Sequence, residues 1–143
     1  MQWVDCNQCG HQFVDGYFSE EALLLIFSKT NENQKIGYQI EKQRAISSKI
    51  IEKVLPYQFE GNWLDIGFGN GSLLFTAQEY GFNPVGIDLR KENSELMKKI
   101  GIEAYCEPVE NINFKSNFSV ISMMDVLEHI PYPRLTLKKL NTI

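Results

Sequence analysis

No stretch of this chain approaches the roughly 20 consecutive apolar residues that a membrane-crossing helix needs. Its first residues, Met1-Gln2-Trp3-Val4-Asp5, lack the basic start and apolar core of a secretion signal. Basic clusters are also missing. Nothing exceeds short pairs such as Lys98-Lys99 and Lys138-Lys139, and the formal charge is −4, which argues against general nucleic-acid binding. Cys6, Cys9 and Cys106 make an odd number, so there is no disulfide framework. Reduced thiols and a cytoplasmic location are the corresponding expectations. Internal repeats and low-complexity segments are absent as well. What is present is ordinary for a soluble globular protein: 143 residues, 43% apolar and 22% charged, enough to bury a core.

Residues 1 to about 18 form a small Cys/aromatic piece that includes Cys6-Asn7-Gln8-Cys9-Gly10-His11-Gln12-Phe13. Ser19 before Glu20 and Glu21 reads as a helix N-cap with first-turn acids, and Ala22, Leu23, Leu24, Ile26 and Phe27 give that helix an apolar face. The polar run Thr30-Asn31-Glu32-Asn33-Gln34 reads as a loop that separates an N-terminal segment, 1–34, from a body, 35–143. In the body, Ile40, Ala45, Ile46, Ile50, Ile51, Val54 and Leu55 recur at helical spacing, which predicts a helix from Tyr38 to Leu55, stopped by Pro56. Strands are then expected over 62–68, 84–89, 102–107 and 118–124. Helices are expected over 72–80, 92–100 and 133–141, with Gly81 and Gly101 as stops. This β-α-β-α-β order predicts an α/β fold, a parallel sheet with flanking helices and right-handed crossovers.

The chemistry concentrates at Trp63-Leu64-Asp65-Ile66-Gly67-Phe68-Gly69-Asn70-Gly71, where a short apolar run ends in an acid and three alternate glycines. Glycines there let a ligand approach the main chain. A second acid, Asp88, follows Gly67 by 21 residues, at the end of the apolar run Val85-Gly86-Ile87. A carboxylate at that distance suits ribose hydroxyls, so the pair points to an adenosine-containing cofactor, although Asp88 also suits a helix N-cap. A dinucleotide fingerprint would place glycine or alanine where this chain has Ser72, and Asp65 would repel a pyrophosphate. An acid beside the loop suits a positively charged end instead, such as the amino group and sulfonium of S-adenosylmethionine.

Asp65-Ile66-Gly67-Phe68-Gly69-Asn70-Gly71 resembles the D/E-x-G-x-G-x-G motif of class I S-adenosylmethionine-dependent methyltransferases. Asp88 is similar to that family's ribose-binding acid, and Val126-Leu127-Glu128-His129 to the segment after its fourth strand. The resemblance runs from about Ile36 to Leu137. It implies a Rossmann-like fold and S-adenosylmethionine as cofactor. The cofactor-binding residues it implies are Asp65, Gly67, Phe68, Gly69, Gly71, Asp88, Leu89, Val109 and Met124. Within that set, Asp65 would orient the loop, Leu89 would pack on adenine, and Val109 would meet the adenine edge through its N–H. Asp125 and His129 are the candidate catalytic residues; His129 reads equally as a general base or as a structural loop histidine. The implied reaction is methyl transfer to a small-molecule O, N or C nucleophile, the alternative being a cofactor-binding or structural fragment without activity.

The chain departs from the family pattern at three places. Pro108 stands where many members carry Asp or Thr; with no N–H and no polar side chain, it leaves adenine recognition to its neighbours. Ser119 replaces an expected Asp. The family's sheet has seven strands and this chain offers four, so the expectation is a sheet truncated after the fourth strand. Either a longer protein or a second copy paired at the open edge would complete it. Cys6-x-x-Cys9-Gly10-His11 resembles one knuckle of a zinc ribbon that precedes the catalytic domain in some members. Structural zinc wants four ligands, and only Cys106 and His129 remain, so a half-site without metal is expected. Cys106 is read as a buried strand residue. Met123 and Met124 are read as core or cofactor-lining, and Phe13, Tyr17 and Phe18 as packing residues or a lid.

Overall fold

A computed structural model describes residues 2–29 and 31–143, with Glu20 and Leu24 described for the backbone alone. Met1 and Thr30, the latter part of the expected polar loop, lie outside the described residues. The Cys/aromatic piece is an antiparallel hairpin of β1 (Gln2–Asp5) and β2 (Gln12–Asp15). Helix α1 (Glu20–Ser28) starts at the expected cap: Ser19 Oγ accepts from the Ala22 N–H at 3.2 Å. Ile26, expected on the apolar face, is 47% exposed. The expected loop contains a single 3₁₀ turn, Glu32–Gln34.

Helix α2 runs over Ile40–Val54. It begins two residues later than the periodicity predicts, because Gln39 takes a left-handed φ of 45° and the preceding residues turn. Its buried stripe is also narrower than predicted. Ile51 and Ser47 are buried, while Ala45 and Ile46 are exposed, since the helix packs on one side only. Ser47 Oγ meets Ser72 Oγ of the next helix at 3.1 Å.

The body alternates β3 (Gly61–Ile66), α3 (Ser72–Glu79), β4 (Phe82–Ile87), α4 (Lys91–Lys99), β5 (Glu103–Tyr105), β6 (Val120–Met123) and α5 (Pro133–Leu140). The sheet is parallel throughout, in the order β5-β4-β3-β6. Strand β4 starts at Phe82, two residues earlier than expected, because Phe82 and Asn83 pair with Gly61 and Asn62 of β3. Pro84 is accommodated inside it because β5 joins only from Val85 onward, so the ladder at Pro84 has a partner on one side.

Trp63, Leu64, Asp65 and Ile66 are all buried, so β3 has no solvent face. On one side Trp63 packs with Ile51, Leu73, Ala77 and Phe82; its ring meets the Phe82 ring edge-on at 5.0 Å. Phe68 and Leu74 join Met97, Ile102 and Ala104 beneath α3 and α4. On the opposite side Leu64, Ile66, Val85 and Ile87 meet Val109, Ile112 and Leu140. The chain reverses its order across the sheet between β3 and β6. In open α/β sheets, the carboxyl ends of the strands at such a switch point bind ligands.

Candidate functional site

The loop after β3 continues the strand ladder for two residues. Gly67 N–H and Phe68 N–H both donate to the Ile87 carbonyl, at 2.7 and 3.3 Å. Gly67 has φ 75°, and a Cβ there would fall 2.4 Å from Val126 Cγ2, so backbone and packing both require glycine. Gly69, at φ 56°, has nothing nearer to a notional Cβ than the Gly67 carbonyl at 3.9 Å. Its open face leaves bare backbone accessible. Gly71 serves packing: a Cβ there would strike Met97 Cε at 2.2 Å and the Phe75 ring at 3.2 Å. Phe68 turns inward too, and its side chain is 5% exposed.

Two carboxylates flank this loop, and they do different work. Asp88, 3% exposed, takes the Gly69 N–H on Oδ2 at 3.0 Å. On Oδ1 it takes the Arg90 N–H at 2.9 Å and Arg90 Nε at 2.6 Å, and the Arg90 Nη2 donates to Oδ2. Asp88 therefore fastens the glycine loop to the next strand, a role expected of Asp65. Its N-cap-like contact goes to Arg90, the residue just before α4. Asp65, also 3% exposed, bonds across the sheet instead: Ser122 Oγ donates to Asp65 Oδ1 at 2.7 Å, and Trp63 Nε1 donates to Ser122 Oγ at 2.8 Å. Burial pushes the Asp65 carboxyl up from an ordinary 3.8 to about 7; the Ser122 bond opposes the rise and the Asp88 charge adds to it.

The remaining expected residues lie at the same sheet end. Leu89 is half-buried beside an open cavity of about 500 Å³ lined also by Ser28, Lys29, Lys91 and Glu92. Val109 opens a 3₁₀ turn, Val109–Asn111, after Pro108; its side chain is core and its N–H lies at the turn's start, where no intrahelical acceptor exists. Met124 is 48% exposed, whereas Met123 packs on the core. Asp125 is exposed and holds φ 54°, a left-handed conformation that an aspartate tolerates better than most residues. His129 ends a 3₁₀ turn, Leu127–His129, and its ring lies 5.0 Å from Phe27 of α1.

Sequence reasoning missed three contributors. Asn93, 4% exposed, donates from Nδ2 to the Gly69 carbonyl at 3.0 Å and the Gln34 carbonyl at 2.8 Å, tying the loop to the N-terminal segment. Arg90 closes on Asp88, and Ser122 on Asp65. The available signal was a polar residue at a buried position: Asn93 shares the inner stripe of α4 with Ser94 and Met97, and Ser122 interrupts an apolar strand. Cys106 corrects an expectation. It is exposed, one residue past the short β5, with its Sγ donating to the Leu89 carbonyl at 3.4 Å. Tyr17, one of the three aromatic residues considered for a lid, packs edge-on against Tyr132 and receives that residue's hydroxyl bond at 2.7 Å.

Cys6 and Cys9 sit in the turn of the β1–β2 hairpin, where N–H groups of Gln8 and Cys9 hold the Cys6 thiol below its ordinary value. Among the described residues, no group of three or more His, Cys, Asp or Glu is placed to hold a metal ion. No helix among them is long and apolar enough to cross a membrane.

Residues 38–143 match the methyltransferase-domain family. No curated protein sequence matches the chain. Similar solved structures include an S-adenosylmethionine-dependent methyltransferase from Clostridium acetobutylicum, 25% identical with a TM-score of 0.50, covering 66% of this chain and 41% of that one. The plantazolicin methyltransferase in complex with SAH is 20% identical with a TM-score of 0.55, over 71% of this chain and 42% of that one. A Burkholderia thailandensis 1,6-didemethyltoxoflavin-N1-methyltransferase, with bound 1,6-didemethyltoxoflavin and S-adenosylhomocysteine, is 21% identical with a TM-score of 0.55, over 68% of this chain and 45% of that one. The last two likenesses bear on fold alone. The chain thus spans less than half the length of each of these structures.

Proposed function

We propose that this chain, which belongs to the methyltransferase-domain family of class I S-adenosylmethionine-dependent enzymes, carries the cofactor half of a site that methylates a small-molecule O, N or C nucleophile. The observation behind this reading is the open backbone at Gly69, clamped between Asp88 at its N–H and Asn93 at its carbonyl. A ligand can lie against that backbone, and both flanking acids favour one that carries ribose hydroxyls and positive charge.

Bound S-adenosylmethionine supplies an electrophilic methyl carbon on a sulfonium centre. The chain's residues would hold it as follows. Gly67 and Gly69 admit the ligand to the main chain, and Asp88 accepts from the ribose. Leu89 packs against the adenine, and the Val109 N–H meets its edge. Asp65 offsets positive charge from within the sheet, and Met124 lines the methionine end. Asp125 and His129 border the position of the acceptor. His129 takes a proton where the acceptor must lose one; otherwise it is a packing partner of Phe27. Alignment of the two reactants supplies much of the rate, with effective molarities on the order of 10⁵ M or more.

Isothermal calorimetry with S-adenosylmethionine and S-adenosylhomocysteine tests the cofactor assignment, and binding of neither rejects it. Transfer of labelled methyl to a panel of small-molecule nucleophiles tests the activity. Binding without transfer favours the second reading, a cofactor-binding or structural fragment without catalytic activity of its own. Strand β6 pairs with β3 on one side. A second copy along its other edge is the partner reading, which a monomeric mass in sedimentation would reject.

A further inference from the structure

The carboxylate assigned to the ribose is already fully engaged by the protein. A carboxylate offers about four lone-pair sites, and Asp88 receives four donors: Arg90 N–H and Nε on Oδ1, Gly69 N–H and Arg90 Nη2 on Oδ2. Asp88 and Arg90 are 3% and 8% exposed, so water does not compete there. The Asp88 backbone is fixed, since its N–H donates to the Tyr105 carbonyl at 3.0 Å and its carbonyl accepts from Ser94 Oγ at 3.1 Å. Two of the four donors are main-chain groups, of the loop and of the residue just before α4, and they stay in place. The two that can leave, Nε and Nη2, belong to one flexible side chain.

A vicinal diol also brings two O–H donors, the same number that the guanidinium fork would withdraw. We propose that the Arg90 guanidinium stands in for the ribose diol on Asp88, and that cofactor binding exchanges one for the other. Arg90 then sets cofactor affinity by competition, without itself contacting the transferred group. The inference rests on the reading that Asp88 accepts the ribose. In the closed form the ion pair keeps Asp88 compensated and the glycine loop attached through Gly69. Opening swings Arg90 out to solvent and leaves the loop's backbone bonds intact.

Arg90→Met keeps the aliphatic stem and removes the fork, while the backbone N–H groups of residues 69 and 90 still serve Asp88. Calorimetric titration of S-adenosylhomocysteine into both proteins should show the variant binding about 10-fold tighter or more, the net worth of the charge-assisted bonds no longer broken. Equal or weaker binding by the variant overturns the exchange and leaves the cofactor assignment standing. Binding by neither protein defeats the cofactor assignment and the exchange with it. Should the variant not fold, the wild-type chain decides: its Arg90 Nε–H resonance, followed by nitrogen-15 NMR, should lose its hydrogen-bonded shift at saturating S-adenosylhomocysteine. A resonance that stays in place under saturation overturns the proposal.

Discussion

Replacing Asp65 by asparagine should stabilise the protein at pH 8 and leave its stability nearly unchanged at pH 4. Asp65 is enclosed by β4 and β6, with Gly86 and Ser122 as its register partners, and burial raises its carboxyl from 3.8 to about 7. Between those values the folded chain keeps the proton that the unfolded chain has lost. The unfolded state binds fewer protons there, so stability falls as pH rises, by about 1.4 kcal/mol per unit. Above pH 7 both states are ionised and the loss is complete, at about 4 kcal/mol as an upper limit, since relaxation and water entry relieve part of it. Asparagine is nearly isosteric with the protonated acid and keeps an oxygen for the Ser122 hydroxyl. The assay is urea unfolding of both proteins at pH 4, 5, 6, 7 and 8. Taking the difference between them removes the other titrating groups, which they share. The gap should open across pH 4–7 and then level off. A gap independent of pH, or a variant less stable at pH 8, would refute a carboxyl held neutral near pH 6. The same shift links to the ligand. A cation bound beside Asp65 favours its ionised form, so binding of S-adenosylmethionine below pH 7 should release a proton, read as a dependence of the calorimetric enthalpy on buffer ionisation heat.

The packing around the loop predicts unequal glycine substitutions. A Cβ on Gly86 would lie 2.5 Å from Phe68 Cδ1 and 2.8 Å from Leu74 Cδ1, so Gly86→Ala should cost about 1–3 kcal/mol in urea unfolding. Gly101, at φ 87° with nothing within 4 Å, carries backbone strain alone, so Gly101→Ala should cost about 1–2 kcal/mol, and the reverse ranking would contradict this account. Asn93→Ala strips a donor from the Gly69 and Gln34 carbonyls. It should destabilise by about 1–3 kcal/mol and weaken S-adenosylhomocysteine binding, and an unchanged binding isotherm would remove Asn93 from the site. His129→Asn should lower turnover about 100-fold or more with an acceptor that must lose a proton, while cofactor affinity holds; unchanged turnover assigns His129 to its contact with Phe27.

What could be read from residue order was the part that repeats a local rule. The apolar runs ending at Ile66 and Ile87, the glycine stops at 81 and 101 and the Ser19 cap each encode their own geometry within a few residues. The parallel sheet and both crossover helices follow from them, whereas the position of β6 beside β3 does not. Strand ends were less legible, because they depend on a partner: Phe82 and Asn83 are strand only because Gly61 and Asn62 lie beside them. The stripe on α2 was overdrawn for a similar reason, since periodicity shows which residues share a face but not how much of that face is covered. At the site, both acids and the glycines stand out in the sequence, but the loop contact expected of Asp65 is made by Asp88. Asp65 and Asp88 are alike as residue types, and it is their partners, Ser122 at 57 residues and Arg90 at 2, that separate an acid bonded across the sheet from a clamp on the glycine loop. Arg90 could be seen in the sequence all along, directly after Leu89. The fork of its guanidinium becomes meaningful only when the Gly69 N–H is found on the same carboxylate, because the count of four donors is what makes Arg90 a competitor rather than a neighbour.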